Sequence, residues 1–128
     1  MEKVVIQEQL RKCPGMIYDP DNNTLEIKGR SIPENPEVIF RRLNEWVSMH
    51  FSEKESLSVD IKLEYINSGS SKKLFYLLKV LDTNTNIRKL IVNWYYEEGD
   101  EETLVKGQVF SESLPKTEFR FHLQKDVV

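Results

Sequence analysis

One stretch of the chain brings hydroxyls, cations and a helix start together: Tyr65-Ile66-Asn67-Ser68-Gly69-Ser70-Ser71-Lys72-Lys73. It joins the end of an alternating segment to the start of an amphipathic one. In α/β sheets, sites gather at this end of the strands. Backbone N–H groups at a helix start have no intrahelical acceptor and attract anions. A phosphate on Ser68, Ser70 or Ser71 is therefore electrostatically favoured. Lys72 and Lys73 place positive charge where it opposes the helix dipole, and an added anion relieves that conflict. Simple capping by Asn67 or Ser68 accounts for the same residues. The lysines are then merely solvated, at a cost of about a few tenths of a kcal/mol. On local chemistry alone, capping is the more economical account and modification the second.

The remaining reactive residues are scattered. His50 and His122 are far apart and lack metal-ligand spacing. Cys13 has no nearby histidine to activate it. The acids Glu97, Glu98, Asp100, Glu101 and Glu102 surround Gly99 without the alternation of a calcium loop, and read as a solvated helix start. No phosphate-binding P-loop, dinucleotide glycine fingerprint or nucleophile elbow is present. In Trp94-Tyr95-Tyr96, alternation sends Trp94 to the core and leaves Tyr95 as an interface candidate on the less covered face. A small hydrolase built on the 65–71 hydroxyls needs a base beside Ser68. No local His or Asp supplies one, and Glu64 is the nearest acid in sequence. A non-enzymatic binding module is the stronger class, with no cofactor and no metal expected.

The elements that position these residues follow from periodicity. Met16, Ile17 and Tyr18 precede the turn Asp19-Pro20-Asp21-Asn22-Asn23, and Leu25 and Ile27 alternate beyond it, which predicts a hairpin. Val4 to Ile6 reads either as a further extended piece or as a tail contact. Asn35-Pro36-Glu37 is a helix start, and Ile39, Leu43, Trp46, Val47 and His50 form one face, with Phe40 and Phe51 flanking, of a helix over 36–51. Leu57, Val59, Ile61, Leu63 and Tyr65 alternate strictly with polar residues, so the strand over 57–66 has one face uncovered by helices. Leu74, Leu77, Leu78 and Leu81 make a second helix, to about Asp82, and Leu90, Val92 and Trp94 another strand. A third helix contains Leu104 to Phe110 and stops at Pro115; a last strand holds Phe119, Phe121 and Leu123. The expected order is β-β-α-β-α-β-α-β: an α/β two-layer domain, a mixed sheet with helices mainly on one face and right-handed crossovers.

At 128 residues the chain is one domain, 1–128, with its core at about 13–123. A net charge of −3 and short, scattered basic pairs leave no footprint for nucleic acid. No stretch approaches the ~20 apolar residues that span a bilayer. The first residues lack a secretory apolar run, and a single cysteine suits a reducing compartment, so a cytoplasmic location without membrane insertion is expected.

Three blocks, in order and spacing, resemble the SiaC family of bacterial regulatory phosphoproteins. They are Cys13-Pro14-Gly15-Met16-Ile17-Tyr18-Asp19-Pro20 leading to Leu25-Glu26-Ile27-Lys28-Gly29; Arg30-Ser31-Ile32-Pro33-Glu34-Asn35; and Tyr65-Ile66-Asn67-Ser68-Gly69-Ser70-Ser71-Lys72. The resemblance runs from about residue 13 to residue 123. It implies a STAS-like fold, similar to anti-sigma-factor antagonists, and a non-enzymatic partner switch in signal transduction. In that family a Ser/Thr protein kinase phosphorylates a hydroxyl, whose position maps onto Ser68, and a metal-dependent Ser/Thr phosphatase removes the phosphate. The resemblance implies that the unphosphorylated form activates a diguanylate cyclase, raising cyclic-di-GMP and promoting biofilm formation. An alternative of the same kind is an anti-sigma-antagonist-like regulator of transcription. The family often carries Thr at the position of Ser68 and usually Ser at that of Gly69. Serine keeps the hydroxyl, and glycine loosens the loop. The expected partner-binding residues are Tyr65, Asn67, Ser68, Gly69, Ser70, Ser71 and Lys72, with Pro33, Glu34 and Asn35 beside them.

Overall fold

In a computed structural model, residues 2–33, 35–50 and 55–124 are described. The elements in chain order are β1 (Val4–Gln7), β2 (Gly15–Asp19), β3 (Thr24–Ser31), α1 (Pro36–His50), β4 (Glu55–Ile66), α2 (Ser68–Thr83), β5 (Ile87–Glu97), α3 (Glu101–Glu112) and β6 (Thr117–Gln124). The six strands lie in chain order across one sheet. β1, β2 and β3 are antiparallel, and β3 to β6 are parallel. The buried residues of all three helices join one core cluster with the sheet, as crossovers of a single hand that advance in one direction require. That is the two-layer mixed sheet expected from the alternation of β4. The expected order misses one strand: Val4–Gln7 pairs with β2 and forms an edge of the sheet, through a register shift between Val5 and Gln7.

The helix-facing side of the sheet is the core. Leu25 and Ile27, then Val59 and Ile61, then Val92 and Trp94 stand side by side across β3, β4 and β5. α2 lays Leu74, Leu77, Leu78 and Leu81 on them, all fully buried. α1 is rotated slightly from its expected face. Its buried stripe is Phe40, Leu43 and Val47, because Trp46 and His50 turn toward the hairpin and stack on each other at 4.5 Å between ring centroids. Both rings also meet Tyr18 at 4.7 Å. Phe51 lies outside the described residues. α3 approaches β5 closely because position 107 is glycine: a Cβ there would sit 2.6 Å from Trp94 Nε1. The indole N–H donates to the Thr103 carbonyl at 2.9 Å.

The opposite face is polar and self-paired. Lys62 forms an ion pair with Glu26 at 3.2 Å and lies 5.0 Å from the centroid of the Tyr95 ring. Tyr95 stacks on His122 at 4.7 Å. Asn93 Nδ2 donates to Asp60 at 2.9 Å, which leaves its Oδ1 to accept from His122 Nε2, also at 2.9 Å.

Candidate functional site: the start of helix α2

The parallel register sets Ser31, the last residue of β3, beside Ile66, the last residue of β4. Both chains leave the sheet at this point. The Asn67 amide donates to the Ser31 carbonyl at 2.9 Å. Asn67 itself is extended (φ −77°, ψ 168°) and caps α2. Its Oδ1 accepts from the Ser70 amide at 2.8 Å, and its carbonyl accepts from the Ser71 amide at 2.9 Å. Its Nδ2 reaches back to the Pro33 carbonyl at 3.3 Å. One side chain thus closes the helix and ties it to the loop that precedes α1. Between the two candidates for the cap, the geometry selects Asn67.

Ser68 is therefore the first residue of α2, exposed, with no intrahelical acceptor for its amide or that of Gly69. The neighbouring hydroxyls differ. Ser70 is fully buried, and its Oγ has no hydrogen-bond partner among the described residues; Ser71 is half-buried. Ser31 Oγ is likewise buried without a partner. Of Ser68, Ser70 and Ser71, Ser68 is the most exposed.

The two helix starts converge. A Cβ on Gly69 would lie 3.2 Å from Pro36 Cγ, so α2 begins against the first residue of α1. The charge there is unbalanced. Asp100 caps α3, and Glu101 and Glu102 follow; α1 has Glu37 in its first turn; α2 has no acid in its first turn and carries Lys72 and Lys73 just beyond it. No ion pair engages either lysine among the described residues. No acid or histidine is hydrogen-bonded to Ser68 among them either, and no group of three or more metal-ligating side chains is found there.

Tyr65 departs from the expected alternation, which places it in the core with Leu63. The β3–β4 register shifts between Gly29 and Arg30, where Gly29 takes φ +112°, so that Gly29 pairs with Leu63 and Arg30 with Tyr65. Glu64 is the extra residue. The bulge turns Tyr65 outward, to 51% exposure, and brings Ile66 against the core. The fold assembles Tyr65, Asn67, Ser68, Gly69, Ser70, Ser71, Lys72 and Pro33 at one corner, with Asn35 exposed just before α1. Glu34 lies outside the described residues.

Other candidates are placed elsewhere. His50 packs on Trp46 and Tyr18, Cys13 is half-buried, and His122 and Tyr95 belong to the polar face. Sequence reasoning missed two grooves flanking α2. One, of about 580 Å³, runs along α1 and is lined by Arg41, Glu45, Met49, Lys73 and Tyr76 among others. The other, of about 320 Å³, runs along α3 and is lined by Ser71, Lys72, Phe75, Val109, Phe110 and Ser113. Val109, an apolar residue that the structure leaves exposed on the third helix, lines the second of them.

The chain is thus a mixed α/β domain whose strand ends, helix start and exposed Ser68 share one corner. The model of the SiaC family regulatory phosphoprotein matches residues 7–124. The chain belongs to that family. It is 26% identical over 104 residues to an uncharacterized protein of Pseudomonas aeruginosa (strain UCBPP-PA14), covering 80% of this chain and 82% of that one. Among solved structures, SiaC of Pseudomonas aeruginosa aligns with a TM-score of 0.75 and 22% identity over 98% of this chain and 100% of that one. A crystal structure of the diguanylate cyclase SiaD in complex with its activator SiaC, also from Pseudomonas aeruginosa, aligns with a TM-score of 0.73 and 23% identity over 92% and 96%.

Proposed function

We propose that this chain is a non-enzymatic phospho-switch. A Ser/Thr protein kinase phosphorylates Ser68, a metal-dependent Ser/Thr phosphatase restores the hydroxyl, and the unphosphorylated form binds and activates a diguanylate cyclase. The observation that carries the reading is the placement of Ser68: the exposed hydroxyl at the first position of a helix whose start lacks an acid. A phosphate there gains from the unpaired amides and the dipole, so it is compatible with the fold. The same charge of about −1.5 to −2 repels and desolvates badly against a docked partner. Membership of a family of regulatory phosphoproteins, and the complex that SiaC of Pseudomonas aeruginosa forms with a cyclase, support the reading. No helix among the described residues is long and apolar enough to cross a membrane; action in the cytoplasm is part of the proposal.

The test is phosphopeptide mapping of the protein isolated from its own cells. Phosphate on Ser68 is expected. Phosphate confined to Ser71, or none under any growth condition, would overturn the assignment.

A further inference from the structure

The Ser68 reading leaves open where the partner sits and how a phosphate reaches it. On α2, residues four and seven positions after Ser68 fall on its side of the helix. They are Lys72, which is exposed, and Phe75, which is half-buried. Both also line the groove along α3. The groove's floor is aromatic: Phe75 and Phe110 meet edge to face at 5.2 Å. One wall is Val109, 54% exposed. Of the six lining residues, Lys72 alone is charged, and no acid pairs with it among the described residues. An apolar trough between two helices with one cation at its rim fits an amphipathic helix that offers an apolar anchor and a carboxylate. The groove along α1 fits this less well. Its lining mixes Glu37 and Glu45 with Arg41 and Lys73, and Lys73 points well away from the Ser68 side of α2.

We infer that the α2–α3 groove seats an amphipathic helix of the regulated partner, and that its carboxylate competes with a phosphate on Ser68 for Lys72. With Ser68 unmodified, Lys72 meets the partner. Once phosphorylated, Ser68 holds Lys72 one turn back along its own helix and presents negative charge at the mouth of the groove. The inference rests on the Ser68 reading and adds the docking surface and the coupling residue.

The test uses the full chain, unmodified and with phosphoserine at 68, titrated against each diguanylate cyclase of its organism. Val109→Asp is expected to weaken binding about tenfold or more, and Met49→Asp on the other groove to change it less than about twofold. Both positions are exposed, at 54% and 85%, and a thermal melt confirms that the variants fold. Lys72→Met should weaken the unmodified form and shrink the difference that phosphorylation makes. It should also raise the second phosphate ionisation of phosphoserine 68, read by phosphorus NMR without any partner. If phosphoserine weakens binding while Met49→Asp, not Val109→Asp, abolishes it, the groove assignment is overturned and the Ser68 reading stands. If Val109→Asp removes self-association instead of cyclase binding, the groove is a contact between copies and the inference is overturned. If phosphoserine leaves every affinity unchanged, the Ser68 reading itself fails.

Discussion

Asn67 holds more of this corner than its size suggests. It satisfies the Ser70 amide, bonds the Pro33 carbonyl, and through its backbone joins Ser31 and Ser71. Removing a helix cap costs about 1 kcal/mol, and the Pro33 bond adds to it. Asn67→Ala should therefore lower stability by roughly 1–2 kcal/mol in chemical denaturation. A change under about 0.3 kcal/mol would contradict the role. By contrast, substitutions at Ser68 should leave the helix seated. Four fully buried leucines anchor α2, at ~2 kcal/mol each, against which one exposed hydroxyl is small. The sequence showed that either Asn67 or Ser68 caps the helix, and could go no further. The Asn67 side chain also bonds a carbonyl at Pro33, 34 residues away, and such partners leave no local mark. The outward turn of Tyr65 is hidden for a similar reason: it follows from a register shift opposite Gly29, in another strand.

At the scale of elements, Gly107 sets how closely α3 approaches β5, and Tyr18 joins β2 to α1. Alanine at 107 gains about 1 kcal/mol of helix propensity but forces a methyl against the Trp94 indole, within 2.6 Å of Nε1. Overpacking costs about 1–3 kcal/mol and the loss of the Thr103 bond adds to it, so Gly107→Ala should destabilise by roughly 1–2 kcal/mol. A more stable variant would show that α3 is not seated on the indole. Tyr18 links β2 to the Trp46–His50 stack, and its hydroxyl bonds Asn23. Burial raises its pKa above the ordinary tyrosine value of 10.0, with Glu55 and then Asp19 adding to the shift. A raised acid group favours the folded state in its neutral form. The contribution is complete below pH 10.0 and is lost as pH climbs through the higher folded value. Denaturation midpoints should thus fall more steeply above pH 10.0 in the parent chain than in Tyr18→Phe. Parallel curves would rule the effect out. These elements were largely legible. The leucine period of α2 and the alternation of β4 mark one buried side each. β1 was not, because four residues with two exposed valines carry little pattern, and their pairing with β2 is what makes them a strand.

Over the whole molecule, the two faces of the sheet divide the work. The open face pairs Glu26 with Lys62, and Asp60 through Asn93 with His122, so its polar groups answer one another. Tyr95, an interface candidate from sequence, is engaged there with His122 and Lys62. On the helical side the starts of α1 and α2 meet at Pro36 and Gly69, α2 carries Lys72 and Lys73 without an ion pair among the described residues, and exposed apolar residues flank it. That asymmetry was half visible beforehand: alternation revealed an open face, but which face receives a partner depends on how helices pack, and packing is not periodic. If the proposed switch holds, a charge on Ser68 separates this chain from the proposed cyclase partner. Calorimetric titration of the cyclase with the unmodified chain and with the chain carrying phosphoserine at 68 tests it most directly. The phosphorylated form should bind about tenfold or more weakly. Equal affinities would contradict the account.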